Sequence, residues 1–198
     1  YEISACLVGS EMCIRDRRRS MPLKAPVGMD TRPTQDRTKE TLFNVLQNEI
    51  PGAEFLDLFA GSGAISIEAL SRGASHATLV ENNKNAVSCI KDNLKFTKFS
   101  DEATLMETDV MAALYKLGGH KEFDIVFMDP PYGKELEKEV LTYLATSKLI
   151  DEDSLIIVEM SDRTTFDYVH ELGFTVEKLK KYKTNMHLFL KRAGQKED

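Results

Sequence analysis

Phe123-Asp124-Ile125-Val126-Phe127-Met128 runs directly into Asp129-Pro130-Pro131-Tyr132, and this join decides the fold. The first six residues read as a buried strand. A strand cannot continue through two prolines, because neither has the N–H that a ladder needs. The chain therefore leaves the sheet at Asp129, at a strand's carboxyl end, where open α/β sheets bind their ligands. The two rings stiffen the turn and fix the directions of its carbonyl groups. A carboxylate, oriented carbonyls and an aromatic ring then share one rim. Such a rim can accept hydrogen bonds from a planar NH2 group while the ring stacks on the base carrying it. Taken alone, the same residues also describe a strand-ending turn with a surface Tyr132.

On either side of this join, strand-like and helix-like stretches alternate. Strands are expected at 54–59, 77–80, 104–106, 123–128 and 155–158. Helices are expected at 34–49, after the glycine loop through Ile65, Ile67, Ala69 and Leu70, after Asn82 or Asn83, at 110–117, at 135–147 and at 164–172. Two last strands, 174–180 and 186–190, are joined by Lys183-Thr184-Asn185, a short link that suits an antiparallel hairpin. The alternation implies right-handed βαβ units. The expected fold is α/β and Rossmann-like: a mostly parallel seven-stranded sheet with a C-terminal antiparallel hairpin and helices on both faces. Residues 1–17 look foreign to the rest, match no signal peptide and are assigned no function. Residues 18–52 read as a basic arm and a first helix, 53–192 as the main domain and 193–198 as a disordered tail.

The 198 residues suffice for one domain with a sizeable core, and no apolar run approaches the length of a membrane span. Cys6, Cys13 and Cys89 show no CxxC spacing, and His76, His120, His170 and His187 are scattered. These spacings disfavour a zinc site or a disulfide framework and fit a reducing, cytoplasmic setting. A net charge of −6 argues mildly against nucleic acid, but the charge is unevenly spread. Arg15, Arg17, Arg18, Arg19, Lys24, Arg32, Arg37 and Lys39 crowd the start, and Lys178, Lys180, Lys181, Lys183, Lys191 and Arg192 crowd the end. Two basic ends that met in space would make one phosphate-binding surface; the alternative is solvated faces.

Asp57-Leu58-Phe59-Ala60-Gly61-Ser62-Gly63 lies at a strand-to-helix junction, where glycine permits a tight turn and close approach of a ligand. Ser66 occupies the third glycine position of a dinucleotide fingerprint, so that match is incomplete. Asp57 would repel a pyrophosphate and attract a cation. S-adenosylmethionine carries an ammonium and a sulfonium and no phosphate, so it suits this loop. Glu81 is spaced as a ribose-binding acid, able to accept from both ribose hydroxyls, and Asp109 is placed to accept from an adenine amino group. Either acid alone reads equally as a cap or turn residue. Asp129 on the fourth strand completes a series that is harder to dismiss.

Thr31-Arg32-Pro33-Thr34, Lys39-Glu40-Thr41-Leu42-Phe43-Asn44, the segment from Phe55 to Gly63, Glu68-Ala69-Leu70-Ser71-Arg72-Gly73 and Asp129-Pro130-Pro131-Tyr132 together resemble the RsmD family of DPPY-type S-adenosylmethionine-dependent methyltransferases. The likeness runs from about Leu23 to Lys191. DPPY is shared by many amino-methylating enzymes, whereas the stretch before the glycine loop is more particular to this family. Family members open with a short strand before the basic Leu23-Lys24-Ala25-Pro26 segment; here the foreign-looking residues 1–17 stand there.

The resemblance implies methylation of the exocyclic N2 of a guanine in 16S ribosomal RNA, within the small subunit or its assembly intermediate, by a monomer that needs neither metal nor membrane. Asp129, Pro130, Pro131 and Tyr132 would be catalytic. Asp57, Phe59, Ala60, Gly61, Ser62, Gly63, Glu81, Asn82, Asp109 and Val110 would hold the cofactor. Lys24, Arg32 and Arg37 would meet RNA phosphates. A DNA adenine-N6 or cytosine-N4 methyltransferase is the second enzyme reading, and a non-catalytic RNA-binding assembly factor is the reading from another class. A nicotinamide dehydrogenase is the weakest, given Ser66.

Overall fold

The computed structural model describes residues 12–14, 21–26, 33–119, 121–131 and 133–194. Two short strands, β1 (Met12–Ile14) and β2 (Met21–Leu23), pair antiparallel at the start. So a strand does precede Lys24-Ala25-Pro26, and part of the foreign-looking segment is its partner. Helix α1 (Pro33–Val45) follows. It starts at the proline, whose missing N–H costs nothing at a first helical position. It ends four residues before the expected Glu49, because the chain tightens there to bring Ile50, fully buried, into the core.

The main sheet is built from β3 (Glu54–Asp57), β4 (His76–Val80), β5 (Ala103–Met106), β6 (Ile125–Met128), β7 (Leu155–Ser161), β8 (Phe174–Lys181) and β9 (Asn185–Arg192). The spatial order is β5-β4-β3-β6-β7-β9-β8. The first five strands are parallel, and β9 lies antiparallel between β7 and β8. This is the expected mixed seven-stranded sheet, with the chain's direction of progress reversing between β3 and β6. A crevice opens at such a reversal, beyond the strands' carboxyl ends.

Connecting helices α2 (Ala64–Ser71), α3 (Lys84–Thr97), α4 (Val110–Leu117) and α5 (Leu136–Thr146) fall where the periodicity predicts. The last helix does not run 164–172: α6 is one turn, Tyr168–Glu171. Two adjacent β-branched threonines, Thr164 and Thr165, make a poor helix start, and Val169 is its one fully buried apolar residue.

Two hydrophobic clusters cover the two faces of the sheet. Phe55, Leu79, Phe127, Ile157 and Phe189 face Leu42, Phe43, Leu46, Ile67 and Ile90; Leu56, Val80, Val126, Met128 and Val158 face Leu114, Val140, Leu141 and Leu144. Strand residues alternate between the clusters, as a period of two demands. Leu23 belongs to the first cluster at 1% exposure, so β2 is fastened into the core at its end. At the other end, Ala193 still donates to Gly173 O, and residues 195–198 lie outside the described residues.

Leu23→Ala should lower unfolding free energy by about 2–5 kcal/mol, the usual cost of emptying a buried leucine site. Urea unfolding checks this; a loss under about 0.5 kcal/mol, typical of a surface position, would mean that the arm merely lies on the surface.

Candidate active site

Asp57 ends β3 on the face shared with Phe55 and Phe127, and it is 1% exposed. Ser66 Oγ, inside α2, donates to Asp57 Oδ2 at 2.8 Å. The other oxygen, Oδ1, is buried without a hydrogen-bond partner. Burial pushes this carboxyl up to about 7; the bonds from Ser66 and from the Phe59 N–H oppose the shift, and Glu81 adds to it. Ser66, in the sequence a failed glycine, thus supports Asp57 from inside α2.

The loop after Asp57 is held by backbone bonds, Ala60 N to Val80 O at 3.0 Å and Gly63 N to Ala60 O at 2.7 Å. Gly61 and Gly63 have φ of 56° and 78°, the left-handed region that favours glycine. A Cβ at Gly63 would meet Leu79 at 3.3 Å and Ile90 at 3.4 Å, so this residue lets α2 begin hard against β4 and α3. At Gly61 the same Cβ would meet nothing within 4 Å; its outer side is open.

Glu81 follows β4 and clamps the loop. Its Oε2 accepts from Gly61 N at 2.9 Å, and its Oε1 accepts from Asn82 N at 2.9 Å and Asn83 N at 2.8 Å. Backbone groups thus fill three of the roughly four accepting positions of this carboxylate. Asn83, one of the two residues predicted to cap α3, does so through Asn85 N and Ala86 N. Asp109 caps α4, Oδ1 accepting from Ala112 N at 2.9 Å, so the cap reading holds and Oδ2 is left for another donor. Val110 is buried in the second cluster, Phe59 is half-buried against it and Ala60 is buried in the first, so Val110 and Ala60 can offer a ligand little beyond their backbone.

Asp129 emerges just past β6, beside Asp57, with its side chain open to solvent on one side. Desolvation raises its carboxyl first, then Glu159 and Asp57 raise it further. Solvent screening on the open side tempers that shift. Pro130 is buried and Pro131 exposed, while Tyr132 lies outside the described residues.

Of the three RNA-binding candidates, Lys24 is described; its Nζ pairs with Asp92 Oδ2 at 2.7 Å on the surface. Arg32 and the Arg37 side chain lie outside the described residues. The two basic ends do not meet among the described residues: Lys24 sits against α3, while Lys178, Lys180 and Lys181 lie on β8, the far outer strand. Arg192 is structural, donating to Leu144 O and Ser147 O.

One residue that the sequence reading missed joins the arm to the loop. Asn93, 1% exposed on α3, donates to Ser62 O at 2.9 Å and to Lys24 O at 3.0 Å, and its Oδ1 accepts from Lys24 N at 2.9 Å. Its signal was a polar residue on the helix face otherwise carrying Ile90 and Leu94.

The chemistry of the donor set is explicit. Acids stand at the carboxyl ends of four adjacent strands, one with an orphaned buried oxygen, beside a loop open at Gly61. These residues fit S-adenosylmethionine, which offers an ammonium, hydroxyls and an amine, and they do not fit a pyrophosphate. Among the described residues no group of His, Cys, Asp and Glu is placed to hold a metal ion, and no helix is long and apolar enough to cross a membrane.

The family described as Conserved hypothetical protein 95 matches residues 15–191. The chain is 38% identical over 143 residues to Ribosomal RNA small subunit methyltransferase D of Escherichia coli K12, covering 72% of this chain and 70% of that protein. It is 37% identical over 147 residues to YlbH of Bacillus subtilis, covering 74% and 80%. The solved structure of yhhF from Escherichia coli superposes with a TM-score of 0.80 at 32% identity, covering 94% of this chain and all of that one.

Asp57 titrates near 7 in the fold against 3.8 as a free carboxyl, so the folded protein holds a proton that the unfolded chain releases. The stability this contributes is complete below about pH 4 and is lost as pH rises through about 7. Relative to Asp57→Asn, the ligand-free protein should lose on the order of 3 kcal/mol between those limits, measured by urea unfolding across pH. Parallel pH profiles would show that Asp57 is not strained when ionised. Asn93→Ala should speed hydrogen exchange at Gly61 and Ser62 and cost about 1 kcal/mol, because it removes the donor to the part-buried Ser62 and Lys24 carbonyls; unchanged exchange would break the proposed link.

Proposed function

The chain belongs to the Conserved hypothetical protein 95 family, the RsmD family, and from that premise we propose that it transfers a methyl group from S-adenosylmethionine to the N2 amine of a guanine in 16S ribosomal RNA. A methyltransferase of ribosomal RNA that uses S-adenosylmethionine is the coarser statement that its relatives support. We further propose that it works as a monomer in the cytoplasm, on the small subunit or its assembly intermediate. The observation that carries the reading is the pairing of Asp57, buried and short of one donor, with Asp129 at the next strand end.

When bound, the cofactor supplies a methyl group on a sulfonium. Everything else falls to the chain. Asp57 faces the cofactor's ammonium, and Gly61 leaves room for the ligand's approach. The last accepting position of Glu81 takes one ribose hydroxyl, and Asp109 takes the adenine amino group. Asp129 and the Pro130 carbonyl accept the N–H groups of the target amine. A guanine N2 lone pair is delocalised into its ring, so these acceptors favour a more pyramidal nitrogen and stabilise the positive charge that develops on it. Tyr132 stacks on the extruded base. Lys24, Arg32 and Arg37 meet phosphates, for which Lys24 must exchange its pairing with Asp92. Orienting the amine at near-attack distance supplies much of the rate.

Incubation with methyl-labelled S-adenosylmethionine and three acceptors from cells lacking the endogenous enzyme tests this. The acceptors are small subunits, naked ribosomal RNA and genomic DNA, with digested nucleosides read by mass spectrometry. N2-methylguanosine from a ribosomal sample is the expected product; methylated adenine or cytosine from DNA would overturn the reading. Asp129→Ala should cut transfer by at least about 100-fold while calorimetric affinity for the cofactor survives. Loss of both together would refute that division of labour.

A further inference from the structure

Glu159 is the acid that neither the sequence reading nor the cofactor accounts for. Strands β6 and β7 run parallel with Met128 opposite Val158. The next residues, Asp129 just past the end of β6 and Glu159 within β7, therefore lie side by side on neighbouring strands, spaced about 4.8 Å across the ladder. Phe127 and Ile157 face the first core cluster, so alternation turns Asp129 and Glu159, two residues on, toward that same face. The electrostatics agree, since Glu159 makes ionising Asp129 costlier.

Glu159 is also fixed in place. His187, opposite it on β9 and 1% exposed, holds Oε2 through Nε2 at 2.9 Å, and Asn185 Nδ2 donates to Oε1. The Tyr182 hydroxyl lies 3.2 Å from the other ring nitrogen of His187. The carboxylate is thus gripped from the β9 side while 17% of the side chain stays exposed, enough for an outside donor to reach it.

We propose that Glu159 determines specificity, accepting the N1–H of the target guanine while Asp129 holds the neighbouring N2 amine. This rests on the guanine reading above. Two acceptors side by side call for two adjacent donors. Guanine offers them as N1–H and N2–H2. Adenine places a lone pair at N1 beside its N6 amine, and cytosine places one at N3 beside its N4 amine, so either base would set a lone pair against the Glu159 carboxylate. A carboxylate oxygen that meets a lone pair where a donor is needed discriminates better than shape alone.

The test compares guanine with 2-aminopurine, which keeps the N2 amine but carries a lone pair at N1. Small subunits are reconstituted on RNA with either base at the methylated position, and single-turnover rates are read by mass spectrometry. The wild-type protein should favour guanine by about 10- to 100-fold. Glu159→Gln, neutral and of the same shape, should bring that ratio within about threefold, with cofactor affinity unchanged. A variant that keeps the wild-type ratio would overturn the proposal. So would an equal loss on both bases with a lowered melting temperature, which is what a purely structural residue gives. Guanine methylation by the wild-type protein without discrimination against 2-aminopurine strikes Glu159 alone, whatever the variant does. Absence of guanine methylation strikes the guanine reading, and the role of Glu159 falls with it.

Discussion

A buried carboxyl group with one oxygen unsatisfied, at the end of β3, is the constraint around which the rest is arranged. Asp57 is buried, keeps one oxygen without a donor, and has Asp129 as its neighbour across the next strand. A protein selected for stability alone would fill that position with an apolar residue, because a buried acceptor without a donor costs about 1–3 kcal/mol. The sheet cannot relieve the crowding, since parallel strands deliver all their carboxyl ends to one edge. Under the proposed function, a ligand bearing positive charge and N–H groups would relieve it.

Around that point the chain is fastened from two directions. Glu81 holds the glycine loop from β4 through three backbone N–H groups. Asn93 holds it from α3 and grips the Lys24 backbone with the same side chain. The loop's own backbone bonds and the packing at Gly63 fix its inner side, and these side chains fix the rest. Lys24 is tied to the same spot through Asn93, and Leu23 beside it is tied to the core, so the end of β2 and the glycine loop share one anchor.

Much of this was legible in the sequence because the informative signals were local. The stop at Pro130-Pro131, the glycines after Asp57 and the alternation of apolar periods gave the parallel sheet, its closing hairpin and the four acids at strand ends. What escaped depends on contacts between residues far apart in the chain. Ser66 read as a missing glycine, yet its hydroxyl supports Asp57. Asn93 read as an ordinary helix residue, yet its partners lie 31 and 69 positions away. Glu159 and His187 become neighbours only when β9 folds back between β7 and β8, an order that periodicity does not encode. The short α6 and the early end of α1 were missed for a related reason: burial of Ile50 and the weak start at Thr164-Thr165 outweigh helical spacing.

Calorimetry of S-adenosylmethionine binding to the ligand-free protein near pH 6, in two buffers of different ionisation enthalpy, tests most directly whether Asp57 awaits a cation. At that pH a carboxyl that titrates near 7 is mostly protonated, and the incoming ammonium must ionise it. Binding should therefore release close to one proton, and Asp57→Asn should bind more weakly and release none. Binding that exchanges no proton, at an affinity that Asp57→Asn leaves unchanged, would contradict the assignment.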